Sequence, residues 1–440
     1  MDLRSFIDLL QKSGELTKIT KPVSTEYELA GIINALEEKP VFFENVKESG
    51  FPVIAGLVSS KELICRSLGI TKEQLLPKLS LAIEKPIAPQ VVEKAPCQEV
   101  VYTGAEVDLT KLPIMHYTDK DGGKYIASAV SIIKDPKTGQ RNMCFHRLMF
   151  KDKNHFIVRI VENRGTDSAL KKVPEGELEI AICVGNSTAV LLAAATSLSV
   201  GVDELGMANA LEKTDLVKCK TVNLEVPAEA EFVFEGRITK EKALEGPFLD
   251  LTGVIDRTRQ QPVIEITCIT HRKNPIYQTI LAGKNEHKFL MGMPKEPTIY
   301  NEVNKVCQCK DVYITPGGCS WLHAVVQIHK TQADEGRKAI FAAFEGHKSL
   351  KHVIVVDEDI NIYDPHDVEW AISTRFQADK NLIVMSNQSG SSLDPSGDLS
   401  EGKKATTAKA GIDATTPVVT TGKGFKKEDY IKVDLNKYCN

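Results

Sequence analysis

The sequence predicts an α/β protein, α+β overall, built in three parts. Three observations predict it. Helical apolar spacing and short strands alternate over the first hundred residues or so. Short β-branched runs separated by turns dominate the next two hundred, and strand–helix–strand alternation returns near residue 296. The chain has 440 residues, 42% hydrophobic and 26% charged, which is ordinary for a chain with two or three sizeable cores.

Leu3, Phe6, Ile7 and Leu10 recur at helical spacing, so the chain opens with an amphipathic helix, and a second is expected over 27–36. PVFFENV (40–46) and PVIAGL (52–57) read as strands, and 61–84 as helical. Pro86, Pro89 and Pro96 mark the connector that closes an N-terminal α/β domain, 1–100. Over 101–295 the runs SAVSIIKD, NMCFHRLMF, HFIVRIVEN, EIAICVG, AEFVFEGRI and PVIEITCIT are bounded by turn residues. They predict an antiparallel sheet or barrel, interrupted by helices at 187–197 and 203–212. In the C-terminal domain, 296–440, LHAVVQIH (322–329), HVIVVDEDI (352–360) and NLIVMS (381–386) read as strands. Helices at 337–347 and 367–376 separate them, so βαβ units with a parallel sheet are expected. The Ser-, Gly-, Thr- and Asp-rich stretch 387–424 is expected to be a long surface loop.

Composition excludes some classes. Lys+Arg is 55 against Asp+Glu 59, a net charge of -4, which argues against a nucleic-acid binder. The apolar run AVLLAAA (189–195) is far too short to span a membrane. The opening MDLRSFIDLLQKSGEL lacks the basic stretch and apolar core of a signal peptide, so a cytoplasmic protein with no membrane span is expected. The ten cysteines include no CxxC, and reduced thiols are expected. P-loop, HExxH, GxSxG and strand-linked GxGxxG motifs are absent.

Two segments carry residues suited to chemistry. In Glu245-Gly-Pro-Phe-Leu-Asp250, Pro247 removes an amide donor and pushes Gly246 out of helical geometry, so two carboxylates flank a bend. Aimed into one cavity they suit proton donation and acceptance; on the surface they are a solvated acidic turn. In Asn142-Met-Cys-Phe-His-Arg147, strand alternation puts Asn142, Cys144 and His146 on one face and Arg147 on the other unless a bulge re-aims it. Asn142 offers a hard oxygen to a metal, and Arg147 a bidentate grip on a carboxylate. His146 is either a functional group or a hydrogen-bonded core histidine.

Taken with Arg164-Gly165, Asp203-Glu204 and the run from Val226-Pro-Ala-Glu-Ala-Glu231 to Glu235-Gly236, these segments resemble the UbiD family of decarboxylases in order and spacing. VVDEDINIYDPHDVEWAISTR (355–375) and Lys409 before GIDAT extend the resemblance to the C-terminal third. The resemblance implies a carboxy-lyase with a central split β-barrel that binds prenylated FMN and acts on unsaturated acids by cycloaddition. It implies Asn142 and Glu204 as ligands of a divalent metal, manganese (Mn2+) in the family, and admits potassium (K+) beside it. Phe145, His146, Arg147, Arg159, Ile160, Val161, Arg164 and Gly165 are implied to face the flavin, and Lys409 its phosphate. Arg147, Glu245 and Asp250 match the catalytic network: Asp250 donates the proton that replaces CO2, and Glu245 holds Arg147 toward the substrate. A flavin prenyltransferase as cofactor supplier and a homo-oligomer are also implied.

The chain departs from one branch of that family, which has a His metal ligand where Gly165 stands here. It also has Asp250 in place of Glu, and Leu249 in place of a frequent Gly. EHKFLMGMPKEP (286–297), TPGGCSWLHAVVQIHK (315–330), GSSLDPS (390–396) and TAKAGIDAT (407–415) resemble an archaeal branch. Its substrate is trans-anhydromevalonate 5-phosphate, a phosphorylated 2-enoic acid, and its product is isopentenyl phosphate, in the modified mevalonate pathway. Arg257, Arg259, Lys284 and His287 lie where they could meet that phosphate, or are solvated surface charges. The competing substrate is an aromatic acid such as a prenylated 4-hydroxybenzoate. The competing class is a non-catalytic flavin-binding assembly protein, against which the presence of Arg147, Glu245 and Asp250 together argues.

Overall fold

The computed structural model describes residues 1–173, 176–199, 201–398, 405–418, 424–425, 427–428, 431 and 433–434. Leu3, Phe6, Ile7 and Leu10 are all buried on α1 (Leu3–Lys12), which Asp2 caps by accepting from Ser5 N–H. β1 (Thr17–Ile19), α2 (Glu28–Ala35), β2 (Val41–Phe43) and β3 (Val53–Ala55) follow as the spacing predicts. The 61–84 segment is two helices, α3 (Lys61–Leu68) and α4 (Lys72–Glu84). Gly69 ends the first in left-handed backbone (φ 65°), and Thr71 starts the second with a capping box.

The central part begins with β4 (Val91–Val92), β5 (Val100–Thr103), β6 (Tyr125–Ile126), β7 (Val130–Lys134), β8 (Arg141–Phe145), β9 (Leu148–Phe150) and β10 (His155–Val158). It continues through α5 (Gly165–Leu170), β11 (Leu178–Val184), α6 (Thr188–Ala195), α7 (Glu204–Leu211), β12 (Leu216–Lys218) and β13 (Glu225–Pro227). β14 (Phe232–Glu245), the hairpin of β15 (Phe248–Leu249) and β16 (Ile255–Asp256), and β17 (Arg259–His271) complete it. The main sheet runs β6-β9-β10-β17-β14-β11-β7-β8, with β5 also on β17. β8 and β9 stand near opposite ends of that order, yet only His146 and Arg147 separate them in sequence. A link that short reaches about 10 Å, so the sheet must curl until its two edges approach. The result is a half-barrel whose seam carries His146 and Arg147.

Asn142, Cys144 and His146 share a face as expected, with Asn142 Nδ2 3.7 Å from Cys144 Sγ and Cys144 Sγ 3.3 Å from His146 Nε2; only the placing of Arg147 on a continuous strand is corrected. β8 ends at Phe145, so His146 and Arg147 lie outside both strands, and Arg147 points inward independently of strand phase. His146 is buried and the Arg147 side chain is 11% exposed.

β18 (Tyr277–Gln278) crosses back to extend the first sheet to β1-β2-β3-β18. Phe43 and Val53 consequently share one core with Phe156, Phe232 and Phe234 of the barrel. A second core lies between the outer barrel face and α3, α4, α6 and α7. α6 is apolar all round, as a helix covered on every side must be.

The C-terminal part contains α8 (Asn285–Gly292), α9 (Glu296–Val303), β19 (Gln308–Ile314), β20 (His323–His329), α10 (Glu335–Gly346), β21 (His352–Asp357) and α11 (Pro365–Arg375). β22 (Leu382–Ser389) and β23 (Thr406–Ala414) follow, in a sheet ordered β19-β20-β21-β23-β22. Two expectations are corrected here. The 387–424 stretch is not all loop, because it contains β23, parallel to β21. β22 does not continue the parallel sheet; it runs antiparallel to β23 at the edge. Small residues hid the strand: Gly411 lets it lie close beneath α10, where a Cβ would overlap Ile340, while Ala414 packs on the opposite face with Val368 and Ala371 of α11. Residues 399–404 and 419–423 of that stretch lie outside the described residues. Among the described residues no helix is long and apolar enough to cross a membrane.

Candidate active site

The end of β14 and the start of β17 face each other, with Glu245 paired to Arg259 across the ladder. The β15–β16 hairpin between them carries Asp250 in its turn and Asp256 on its second strand. Arg147 reaches all of these from the seam. Its Nε donates to Glu245 Oε1 at 2.8 Å and its Nη2 to Oε2 at 3.0 Å, a bidentate pair. Nη1 donates to Asp250 Oδ2 at 3.0 Å, and Nη2 to Asp256 Oδ2 at 2.8 Å. Four of its five N–H donors are thus used among the described residues, and one on Nη1 is left over. Phe248 covers the guanidinium face at 4.9 Å, and Tyr125 donates to Glu245 Oε1 at 3.3 Å.

Arg259 grips Asp256 from the other side at 2.6 and 2.8 Å. Three carboxylates therefore meet two guanidiniums. Burial disfavours charge on Arg147, but the three carboxylates outweigh it and raise its pKa. Burial pushes Asp256 up, yet Arg259 and Arg147 outweigh that and hold it at about 2. Glu245 is fully buried under its bonds from Arg147 and Tyr125. Asp250 receives the fewest hydrogen bonds, one from Arg147 and one from Leu251 N–H at 2.6 Å. Asp256 had no sequence signal of its own; only the hairpin register brings it to Arg147.

His287 stands on the Asp250 side of this cluster. A Cβ on Gly283 would lie 3.0 Å from the Asp250 carbonyl oxygen, and Gly283 N–H donates to His287 Nδ1 at 3.0 Å. The neutral ring must then carry its proton on Nε2. Burial lowers the His287 pKa, Asp250 opposes, and Arg147 and Lys288 add to the lowering. Of the other cations considered for a phosphate, Arg257 and Lys284 are exposed and Arg259 is committed to Asp256.

A second cluster lies around β8. Glu204 opens α7, is 7% exposed, and accepts from Met143 N–H at 3.0 Å. Burial pushes it up to about 7, and it meets no cation among the described residues. A buried carboxylate held by amides without a counter-ion suits a metal. Asn142 precedes Met143 on the same strand, and a Cβ at Gly165 would overlap the Asn142 side-chain oxygen. His146 is a hydrogen-bonded core residue: Nδ1 donates to Arg159 O at 3.1 Å, and Nε2 accepts from Thr166 Oγ1 at 2.9 Å. Burial lowers its pKa to about 4, so it stays neutral. It ties the seam to the segment that carries Ile160, buried, and Val161, 44% exposed. Phe145 ends β8 and is partly covered.

Arg164, just ahead of Gly165, belongs with Lys409 and Lys295 in a cationic cluster. Burial lowers His347 to about 3, and Lys295, Lys409 and Arg164 all add to the effect. Lys295 donates to Ser197 Oγ at 2.7 Å and Lys409 to Lys348 O at 2.7 Å. None of the three cations forms an ion pair among the described residues. Burial, then Arg164, brings Lys295 down to about 8. Uncompensated cations beside a metal-seeking carboxylate fit a phosphorylated cofactor with its metal, so the residues present suit both. Lys295 and His347 were not foreseen, because nothing in their local sequence marks them.

Residues 7–83, 90–285 and 288–414 match the N-terminal, Rift-related and C-terminal domains of 3-octaprenyl-4-hydroxybenzoate carboxy-lyase. The anhydromevalonate phosphate decarboxylase of Methanosarcina mazei is 43% identical over 424 residues, 95% of this chain and 97% of that protein. The UbiD-class enzyme HmfF from Pelotomaculum thermopropionicum in complex with FMN superposes with a TM-score of 0.94 at 36% identity, covering 99% of each chain. An evolved dimeric form of HmfF in complex with prFMN gives 0.91 at 34% identity, again over 99% of each chain.

Proposed function

The chain belongs to the UbiD family of carboxy-lyases, and from that premise we propose that it converts trans-anhydromevalonate 5-phosphate to isopentenyl phosphate and CO2 with prenylated FMN. The observation that carries this reading is Arg147 bridging Glu245, Asp250 and Asp256 with one N–H to spare among the described residues. Bound prenylated flavin supplies the electron-accepting chemistry, by cycloaddition across the Cα=Cβ bond of the unsaturated acid.

The chain's own residues do the rest. The spare Nη1–H of Arg147 takes an oxygen of the substrate carboxylate, while Glu245 fixes the guanidinium. Asp250, least restrained of the three carboxyls, delivers the proton to the carbon that has lost CO2. Asn142 and Glu204 would hold a divalent metal, and their oxygen atoms suit manganese. Phe145, His146, Arg159, Ile160 and Val161 wall the flavin, and the exposed Val161 offers it an apolar face. Arg164 and Lys409, with Lys295 near them, balance its phosphate. A flavin prenyltransferase in the host supplies the cofactor, and the enzyme works as a homo-oligomer.

The test is direct. Protein co-produced with a flavin prenyltransferase and kept from air is given the enoate phosphate, and isopentenyl phosphate and CO2 are measured. Both products in equal amount are expected. Absence of both, with modified flavin confirmed by mass, would overturn the substrate assignment and turn attention to aromatic acids.

A further inference from the structure

The first turn of α8 carries His287, and its N-terminus has no cap of its own: Lys284 makes no side-chain capping bond. The cap comes instead from Glu38, far away in sequence between α2 and β2. Glu38 Oε1 accepts from Asn285 N–H at 2.7 Å, and Oε2 from Glu286 N–H at 2.9 Å. Glu286 Oε2 accepts from Gly56 N–H at 2.9 Å and its Oε1 from Val58 N–H at 3.2 Å, just after β3. Both carboxylates are buried, at 3% and 1% exposure. Glu38 thus satisfies backbone donors at the start of α8, and Glu286 satisfies backbone donors just after β3. Ser59 Oγ pins the Glu38 backbone by donating to its carbonyl at 2.7 Å.

We propose that Glu38 is a positioning residue for the reaction: from the N-terminal sheet it locks the first turn of α8, and so sets where His287 stands against Asp250. Removing the Glu38 carboxylate leaves two buried amides without acceptors, one and two residues before His287. That turn then loosens, and the Gly283 N–H bond that fixes the His287 tautomer loosens with it. Neither glutamate touches the catalytic cluster, so the effect travels through α8 alone. This inference rests on the reading of Asp250 and Arg147 given above.

The experiment compares wild type, Glu38→Ala and Glu38→Gln as holoenzymes, with a second measurement that needs no substrate. For turnover, kcat of Glu38→Ala should fall about 10–100-fold with KM little changed, since a displacement of about 1 Å costs that much. Glu38→Gln keeps one acceptor and should recover part of the loss. For the substrate-free protein, 15N-histidine NMR follows the His287 ring, assigned through His287→Asn. Wild type should show a single Nε2–H tautomer, and Glu38→Ala an average of both. Should Glu38→Ala fail to fold, Glu38→Gln carries both measurements. A wild-type kcat, or a loss of kcat with an unchanged His287 signal, would overturn the proposal. If wild type itself does not turn over the enoate phosphate, the substrate reading fails, and the NMR comparison still decides the role of Glu38.

Discussion

Asp250→Asn should reduce decarboxylation by about 10²–10⁴-fold, the usual contribution of a positioned proton donor, while prenylated FMN stays bound. The amide is nearly the same size. Leu251 N–H and Arg147 bond to separate oxygens of Asp250, so the one oxygen of Asn can keep one of the two bonds that hold the residue in place. What the amide lacks is a proton acidic enough to give to carbon. The substitution also removes one of the three carboxylates around Arg147, which relieves the excess negative charge rather than creating a new one. Folding should therefore be unaffected, and the loss should appear in kcat. CO2 release under saturating enoate phosphate, with flavin content read from the absorption spectrum, measures both. Normal turnover would take the proton-donor role from Asp250, and His287 would be the next group to consider.

Arg147→Ala is expected to damage rate and stability together. Arg147 is the shared counter-charge of Glu245, Asp250 and Asp256, and Glu245 is wholly buried. Deleting the cation leaves those carboxylates facing each other with only Arg259 nearby. Breaking a buried pair by removing one partner costs about 3–5 kcal/mol, so the melting temperature should fall clearly. Activity should vanish, because the N–H that grips the substrate carboxylate goes too. Arg147→Lys should rescue neither fully, since one ammonium cannot reproduce a bidentate bond to Glu245 and separate bonds to two aspartates. Thermal melting and CO2 release on the two variants check this. A fully stable, fully active Arg147→Ala would remove Arg147 from the mechanism.

Much of the fold was legible wherever one periodicity ruled. α1 shows it: all four residues at helical spacing are buried. So do β7, β11, β14 and β17, whose apolar runs were visible in order. Legibility failed where long-range geometry overrode local pattern. His146 and Arg147 read as strand residues, but barrel closure makes them a seam. β23 read as loop because its packing depends on small residues, not large apolar ones. In the site, Arg147, Glu245 and Asp250 could be singled out by type and order, and the structure brings them together. Asp256, Lys295 and Glu38 could not, because each acts through a partner tens or hundreds of residues away. His287 could be noticed, but not its fixed tautomer, which depends on one backbone amide.

Competition among acids tests the central claim most directly. The holoenzyme, kept free of air, is given trans-anhydromevalonate 5-phosphate, the same enoate without its phosphate, and a prenylated 4-hydroxybenzoate, and CO2 release yields kcat/KM for each. The enoate phosphate should be preferred over its phosphate-free form by at least about tenfold, the value of one charge-assisted hydrogen bond at about 1.5–3 kcal/mol. The aromatic acid should give no measurable turnover. Equal rates for the two enoates, or preference for the aromatic acid, would contradict the proposed function.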